Sequence, residues 1–480
     1  MMGTTAQKLN KVLATKEEIR QAIVDRGVEC DTDVVFADYP DKIREISGGG
    51  ITPPLTTGWY GIQFDITVAN SACTRIGDNM GLHVTLPIQS KMRRCLLTDG
   101  GNVNYYLDEN DSTKKEDGVT PAVLDGTDGQ VMVEIPEHYR KFETDGNIVR
   151  VMLSEQDLSG FHLVPKCYRS AYEAAIDRTN SGAPKLASVV NTAAAFRGGN
   201  NTSTWDGTYR SLLGMPASNV SLTNFRNYAR NRGLYGKNNA GWNCEVYDIQ
   251  KTCYWLYIVE YADRNCQLQF NAQPTMDGWK QGGLGDGVTT LNSTTWSTYN
   301  GSNPIIQCGH TNSLGNNTGT VPFTMPSQYG SLTVQVSSYR GLENPFGHLW
   351  SWTDGCKCRI QSGSGVSEFY ICNDPSKFQD SDYNDYVLRG VLPRANGYIK
   401  EMLIGEFGEN MPKVATGASS TTYFCDQLST TLPSAGEAQM GVLLSGRAIN
   451  GAAAGLAIAG ATNAASDMGT TIGSRLCFIP

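Results

Sequence analysis

The sequence predicts an α+β fold rich in short strands, and three observations carry that reading. Apolar residues alternate through Trp59-Tyr60-Gly61-Ile62-Gln63-Phe64-Asp65-Ile66, and Val131-Met132-Val133-Glu134-Ile135 repeats the signal. The run Tyr247 to Tyr261 reads instead as one long helix, with Ile249, Cys253 and Leu256 on a single face. The chain also carries Gly 52 alongside many Asn, Ser and Thr, which favours loops and short strands over long helices.

The first fifty residues read as a unit of their own. Thr15-Lys16-Glu17-Glu18 has the spacing of a capping box, followed by an apolar stripe at Ile19, Ile23 and Val24 and a stop at Gly27. A second short helix is predicted from Asp41 to about Ile46. Gly48-Gly49-Gly50 and Pro53-Pro54 then make a flexible and next a stiff linker. So small a helical unit buries little core alone and is expected to oligomerise or to dock on a partner. The remaining chain divides on paper into a β-rich intermediate domain, residues 51–150, and a larger domain, residues 151–480.

In the intermediate part, Asp108 to Asp128 is dense in Asp and Gly. The ordered D-x-D-x-D-G spacing of a calcium loop is missing, so a solvated loop is expected. Further on, Phe161-His162-Leu163-Val164-Pro165-Lys166 leads into Ser170-Ala171-Tyr172-Glu173-Ala174. Ser221 is placed to cap a helix through Phe225, Tyr228 and Ala229 that ends at Gly233. Phe346 to Trp352 reads as an aromatic core strand, and Ile472 to Phe478 as a closing strand. Gln281-Gly282-Gly283-Leu284-Gly285 lacks the Lys-Ser/Thr of a phosphate loop, so its glycines are read as allowing close backbone passage.

Composition narrows function. With 40% hydrophobic and 18% charged residues over 480 positions the chain is globular, and a net charge of −8 disfavours nucleic acid or an anionic membrane as a general partner. Residues 1–47 lack the basic start and apolar core of a signal peptide, so no export signal is expected. Ala448 to Ala461 is too short to span a bilayer and contains Asn450, so no membrane insertion is expected. Thirteen cysteines spread along the chain are read as buried free thiols. Cys356 and Cys358 form a C-x-C with no second pair at zinc spacing, and no metal or other cofactor is expected.

The last forty-odd residues, about 436–480, are the most informative. Gly446, Gly451, Ala454-Gly455, Asn463, Ser466 and Ile472-Gly473-Ser474-Arg475-Leu476 form a framework interleaved with a mixture of Ala, Gly, Ile, Thr, Asp and Arg. This layout resembles the variable region of proteins diversified by diversity-generating retroelements, in which adenine-directed mutagenesis randomises AAC-type codons. Such codons cannot yield Lys, Glu, Gln, Met or Trp, and between Arg447 and Arg475 Met468 is the sole excluded type present. With the landmarks above, residues from about Phe161 to Pro480 resemble the large variant of the C-type-lectin fold. Retroelement variable proteins share that variant with the formylglycine-generating enzyme. The segments TTAQKLNKVLATKEEIRQAI and FADYPDKIREI resemble N-terminal segments of bacteriophage tail-fibre and baseplate-associated proteins.

The resemblance implies a phage receptor-binding protein at the tail-fibre tip, trimeric, attached through its N-terminus to a tail or baseplate protein. Its partner would be a bacterial surface receptor, a protein or a polysaccharide. The positions it marks as variable and ligand-binding are Arg447, Ala448, Ile449, Asn450, Ala453, Ala457, Ile458, Gly460, Thr462, Asp467, Gly469 and Thr471, which are expected to face solvent as one patch. Ile472 and Leu476 would anchor the segment from below, and Arg475 would tie the closing strand. A bacterial surface-display protein is the alternative.

Catalysis is not expected. An oxidase like the formylglycine-generating enzyme would need a copper-binding cysteine pair, and no two of Cys356, Cys358, Cys372, Cys425 and Cys477 match that pattern. His83, His138, His162, His310 and His348 are scattered, and His348 reads as a satisfied core residue. The E-P-N and W-N-D sequences of calcium-dependent sugar sites are absent; Glu343-Asn344-Pro345 has the wrong order. Asp380, Asp382, Asn384 and Asp385 read as a solvated turn.

Overall fold

The computed structural model describes residues 57–78, 86–196, 213–233, 241–270, 273–274, 280–281, 293–298, 304–325 and 333–480, with positions 13, 15–17, 19–21, 24, 30–32, 35 and 39 before them. Met1–Thr56 and Thr57–Pro480 are two compact units. In the first, Leu13 is already helical, so Thr15 lies inside the helix and not at its N-cap, which corrects the capping-box expectation. An ion pair from Glu17 to Arg20 (2.6 Å) supports that turn. Ile23, Gly27, the helix expected over 41–46 and the linker over 48–54 lie outside the described residues, as do His83 and all of the 281–285 glycine run but Gln281.

The second unit is α+β and rich in sheet. Its first strands are β1 (Tyr60–Asp65), β2 (Thr74–Gly77), β3 (Arg93–Leu97), β4 (Val103–Tyr106), β5 (Gln130–Ile135), β6 (His138–Asp145), β7 (Ile148–Ser154), β8 (His162–Val164) and β9 (Cys167–Ser170). β10 (Ala175–Asp177) and β11 (Lys185–Ala187) pair as a ribbon. Helix α1 (Leu222–Arg230), β12 (Trp242–Cys244) and helix α2 (Tyr247–Tyr261) follow. Next come the ribbon of β13 (Gln273–Pro274) with β14 (Lys280–Gln281) and the three-stranded sheet of β15 (Gly319–Thr324), β16 (Thr333–Tyr339) and β17 (Leu342–Glu343). The C-terminal part contains β18 (Trp350–Gln361), β19 (Ser367–Ile371), β20 (Val387–Val391), β21 (Gly397–Tyr398), β22 (Glu401–Met402), β23 (Pro412–Val414), β24 (Gln427–Thr430), β25 (Glu437–Leu444), β26 (Ala459–Ala461), β27 (Ile472–Gly473) and β28 (Leu476–Phe478).

Three larger sheets organise this unit: five strands in the order β2-β1-β7-β6-β8, six as β12-β28-β9-β5-β3-β4, and a third as β20-β19-β18-β25-β26-β24-β21 with β27 beside β18. The alternation in β1 puts Ile62 and Phe64 inside while Gln63 and Asp65 face outward. β5 is buried apart from Glu134, as an apolar run in mid-sheet must be. Because β5 pairs with β9, and β6 with β8, the sheets run straight through residue 150. The expected division into domains 51–150 and 151–480 is therefore corrected: hydrogen-bonded strands from both sides make single sheets.

α1 starts where expected, the Ser221 side chain accepting from Asn224 N at 3.2 Å. α2 has the predicted span but not the predicted single face, since every residue except Asp248 is buried. Its polar groups are paired, Glu260 to Arg340 at 2.6 Å and Lys251 to Asp248 at 3.1 Å, which makes all-round burial affordable. The aromatic strand begins only at Trp350, because Gly347 (φ 82°) turns the chain just before it. The closing strand is split into β27 and β28 by Ser474-Arg475, whose side chains turn inward.

Leu476 is fully buried between β12 and β9 neighbours. Leu476→Ala is expected to cost about 2–5 kcal/mol, measured by urea unfolding of the full chain; a loss near that of an exposed site would contradict the packing described.

Candidate functional site

The C-terminal segment is held by its main chain. Gln250 on α2 donates from Nε2 to the Leu456 carbonyl (2.6 Å), and its own carbonyl accepts from Asn410 Nδ2 (2.8 Å). Gln267 Nε2 donates to the carbonyls of Ala454 (2.5 Å) and Gly451 (3.2 Å). Asp426 Oδ2 accepts from Ala457 N at 2.8 Å. All three side chains are buried and all three grip backbone atoms, so the path from Gly451 to Ala457 is set without reading the segment's own side chains.

The flanking loops are held by main-chain bonds to the scaffold, with two local side-chain bonds added, Asn450 Oδ1 accepting from Arg447 N (2.7 Å) and Asp467 Oδ2 from Ala464 N (2.9 Å). Gly347 N donates to Ser445 O (2.8 Å), Ala448 N to His348 O (3.1 Å), Gly441 N to Asn463 O (2.9 Å), Asn219 N to Gly469 O (2.8 Å) and Trp350 N to Thr471 O (3.0 Å). Beneath the first loop, His348 is the satisfied core residue the sequence implies. Its Nε2 accepts from Ile305 N (3.1 Å), leaving the proton on Nδ1 to donate to Glu173 Oε2 (2.5 Å). Arg475 ties the end of the chain, donating to Ser170 O (3.2 Å) and to the carbonyls of Glu343 and Asn344, the last at 2.7 Å.

The framework glycines have steric reasons to be glycine. Gly446 and Gly451 adopt left-handed φ of 68° and 54°. A Cβ on Gly455 would lie 1.9 Å from Asp426 Oδ1.

The positions marked as variable divide. Asp467 is exposed, and Arg447, Ile449, Asn450, Thr462, Gly469 and Thr471 are partly so. Ala448, Ala453, Ala457, Ile458 and Gly460 are buried, which corrects the expectation that they face solvent. Ala457 packs in the cluster that holds the α2 aromatics, Ala448 packs with Ile305, Val334 and Leu349, and Gly460 lies in β26, an interior strand between β25 and β24. The small size of all but Ile458, which fills the core beside Trp352 and Leu443, fits close packing that the sequence pattern cannot separate from chance occupancy. The structure brings Arg447, Asn450 and Thr471 together: Asn450 Oδ1 accepts from Arg447 N (2.7 Å), and Arg447 Nη1 donates to Thr471 Oγ1 (3.3 Å). Thr462 and Asp467 meet across Asn463.

Sequence reasoning missed Gln250, Gln267 and Asp426. A glutamine in the otherwise apolar middle of α2 was a usable signal; nothing local marks Asp426. Asp380 also departs from a solvated turn, since it pairs with Arg226 (2.7 Å), which holds Asp354 as well (2.6 Å). The cysteines are free thiols, all buried but Cys73. Among the described residues no cluster of three or more His, Cys, Asp or Glu is placed to hold a metal, and no helix is long and apolar enough to cross a membrane.

No family model and no curated protein matches the chain. Among solved structures it is similar to PvdO from Pseudomonas aeruginosa, with 11% identity, 75% of this chain and 98% of that chain covered, and a TM-score of 0.31. A likeness of that size carries no argument.

Two outcomes follow. Burial pushes the Asp426 carboxyl up to about 8. Between its ordinary value and that point the folded state keeps a proton the unfolded chain has lost, so this group's contribution to stability falls as pH rises toward 8 and is flat above. Asp426→Asn should remove that part of the slope in a Tm series from pH 5 to pH 9, whereas an unchanged slope would contradict the assignment. Gly455→Ala and Ala457→Tyr should each destabilise by about 1–3 kcal/mol or more through overpacking, read by urea unfolding; neutral effects would place the segment away from the core.

Proposed function

We propose that this chain is a phage receptor-binding protein that displays a diversified ligand-binding surface on a large C-type-lectin scaffold. The single observation that carries the reading is the backbone anchoring of the C-terminal segment. A surface whose side chains are exchanged needs a main chain fixed by groups outside it: Gln250, Gln267 and Asp426 hold the floor from Gly451 to Ala457, and main-chain bonds at Ala448, Gly469 and Thr471 hold the outward loops on either side. The replaceable positions are then Arg447, Ile449, Asn450, Thr462, Asp467, Gly469 and Thr471, while Ala448, Ala453, Ala457, Ile458 and Gly460 belong to the floor.

The role is binding and not catalysis. The N-terminal unit attaches the protein to a tail or baseplate protein, and three copies assemble at the fibre tip. Without an aromatic side chain between Gly446 and Leu476, a single copy has few of the usual interface anchors, so avidity from a trimer compensates.

Thr462→Tyr and Asp467→Tyr test this reading. Thr462 is partly exposed with one local hydrogen bond and Asp467 exposed with two, so each should change stability by no more than about 1–2 kcal/mol, and each should alter which strains in a bacterial panel adsorb the purified chain. Adsorption that is unchanged by both, or that is absent from every strain, would overturn the proposal.

A further inference from the structure

We propose that the receptor contact around Arg447 recognises an acidic glycan, with the Arg447 guanidinium meeting a carboxylate or phosphate group; this rests on the receptor-binding reading above. The other deeply placed arginines are either paired with a carboxylate or spread over several acceptors, as Arg94 is over Gly341 O, Ser112 Oγ and Asn312 Oδ1 and Arg264 over the carbonyls of Ser71 and Val68. Arg169 pairs with Glu245 (2.6 Å), Arg226 with Asp354 (2.6 Å), Arg140 with Asp248 (2.7 Å), Arg232 with Asp99 (2.6 Å) and Arg340 with Glu260 (2.6 Å). Arg447 is half-buried, and among the described residues it has no carboxylate partner, its Nη1 reaches only the Thr471 hydroxyl (3.3 Å), and its enclosed Nε meets no acceptor.

An arginine does not escape such a position by losing its proton, since it stays charged at any ordinary pH. Burial holds its pKa below the usual range, and no neighbouring charge opposes that shift. A desolvated cation without a counter-charge is costly to keep, and an orphaned donor in a folded protein calls for an explanation. An oxyanion supplied from outside removes the cost, and the planar fork of guanidinium nitrogens fits a carboxylate or phosphate edge.

The neighbours favour a glycan over a protein as its carrier. Thr471 meets the guanidinium, Asn450 sits on the Arg447 main-chain N–H, and Thr462, Asn463 and Ser466 are at least partly exposed further along the segment. Hydroxyls and amides are directional partners for sugar hydroxyls, whereas the aromatic anchors of protein interfaces are absent from Gly446 to Leu476. The net charge of −8 opposes general attraction to an acidic polymer, so recognition must be a local contact at this arginine.

The test uses the full chain, wild type, Arg447→Gln and Arg447→Lys, on immobilised polyglucuronate, immobilised poly(glycerol phosphate) and neutral dextran. The wild type should be retained at least about tenfold better on one anionic polymer than on dextran, a difference that one charged contact supplies. Which polymer retains it tells carboxylate from phosphate. Arg447→Gln should lose that preference with its Tm unchanged, and Arg447→Lys should keep part of it. Equal retention on dextran, retention on neither anionic polymer, or an undiminished Arg447→Gln would overturn the inference. Adsorption to bacteria separates the two levels. If wild type and Arg447→Gln adsorb equally, or protease treatment of the cells abolishes adsorption, the acidic-glycan contact fails while receptor binding stands. If the wild type adsorbs to no strain, both fail.

Discussion

The C-terminal segment depends on hydrogen bonds from three buried side chains to its own main chain. Gln250, Gln267 and Asp426 come from a helix, a short turn after it and the loop before β24, and they converge on Gly451 to Ala457. Each such bond has a modest net worth, but leaving any of these groups unpaired in the interior is expensive. The arrangement therefore specifies one path for the chain rather than adding much stability. The close pass at Gly455, where no side chain fits beside Asp426, belongs to the same constraint.

Buried charge sets the rest of the frame. The Arg169–Glu245 pair is wholly enclosed, and Arg475 beside it ties the chain entering β28 to the C-terminal ends of β9 and β17, through Ser170, Glu343 and Asn344. Pairs of this kind seldom stabilise a fold more than well-packed apolar residues would, yet breaking one by removing a single partner is costly. They tie the strand that closes the chain to strands laid down hundreds of residues earlier. The loops of the C-terminal segment then rest on a floor whose geometry is settled elsewhere.

Much of the scaffold was legible in the sequence because it obeys a period. The alternation in Trp59 to Ile66 became β1, the apolar run at Val131 became β5, Ser221 capped its helix, and Tyr247 to Tyr261 formed α2 over its whole predicted length. What periodicity missed was context. α2 is enclosed on all sides, so its polar residues were not a solvent face but a set of buried partners. A domain boundary near residue 150 had no way to anticipate that β5 would pair with β9. The candidate site was half legible: the framework glycines show their reason in φ and clearance, while Ala448, Ala453, Ala457 and Gly460 are small in a closely packed floor that Ile458 helps to fill. Small residues look alike whether packing or exchange put them there.

The central claim is that the backbone from Gly446 to Arg475 keeps its path whatever occupies the outward positions other than Asn450 and Asp467, whose side chains accept main-chain N–H bonds. The most direct measurement is a crystal structure of a variant substituted together at Arg447, Ile449, Thr462, Gly469 and Thr471. The account predicts that the main chain from 446 to 475 superimposes on the parent within about 0.5 Å, the tolerance a preorganised site requires, with the Gln250, Gln267 and Asp426 contacts intact. A rearranged loop, or loss of those three contacts, would show that the segment's own side chains determine its path and would contradict the account.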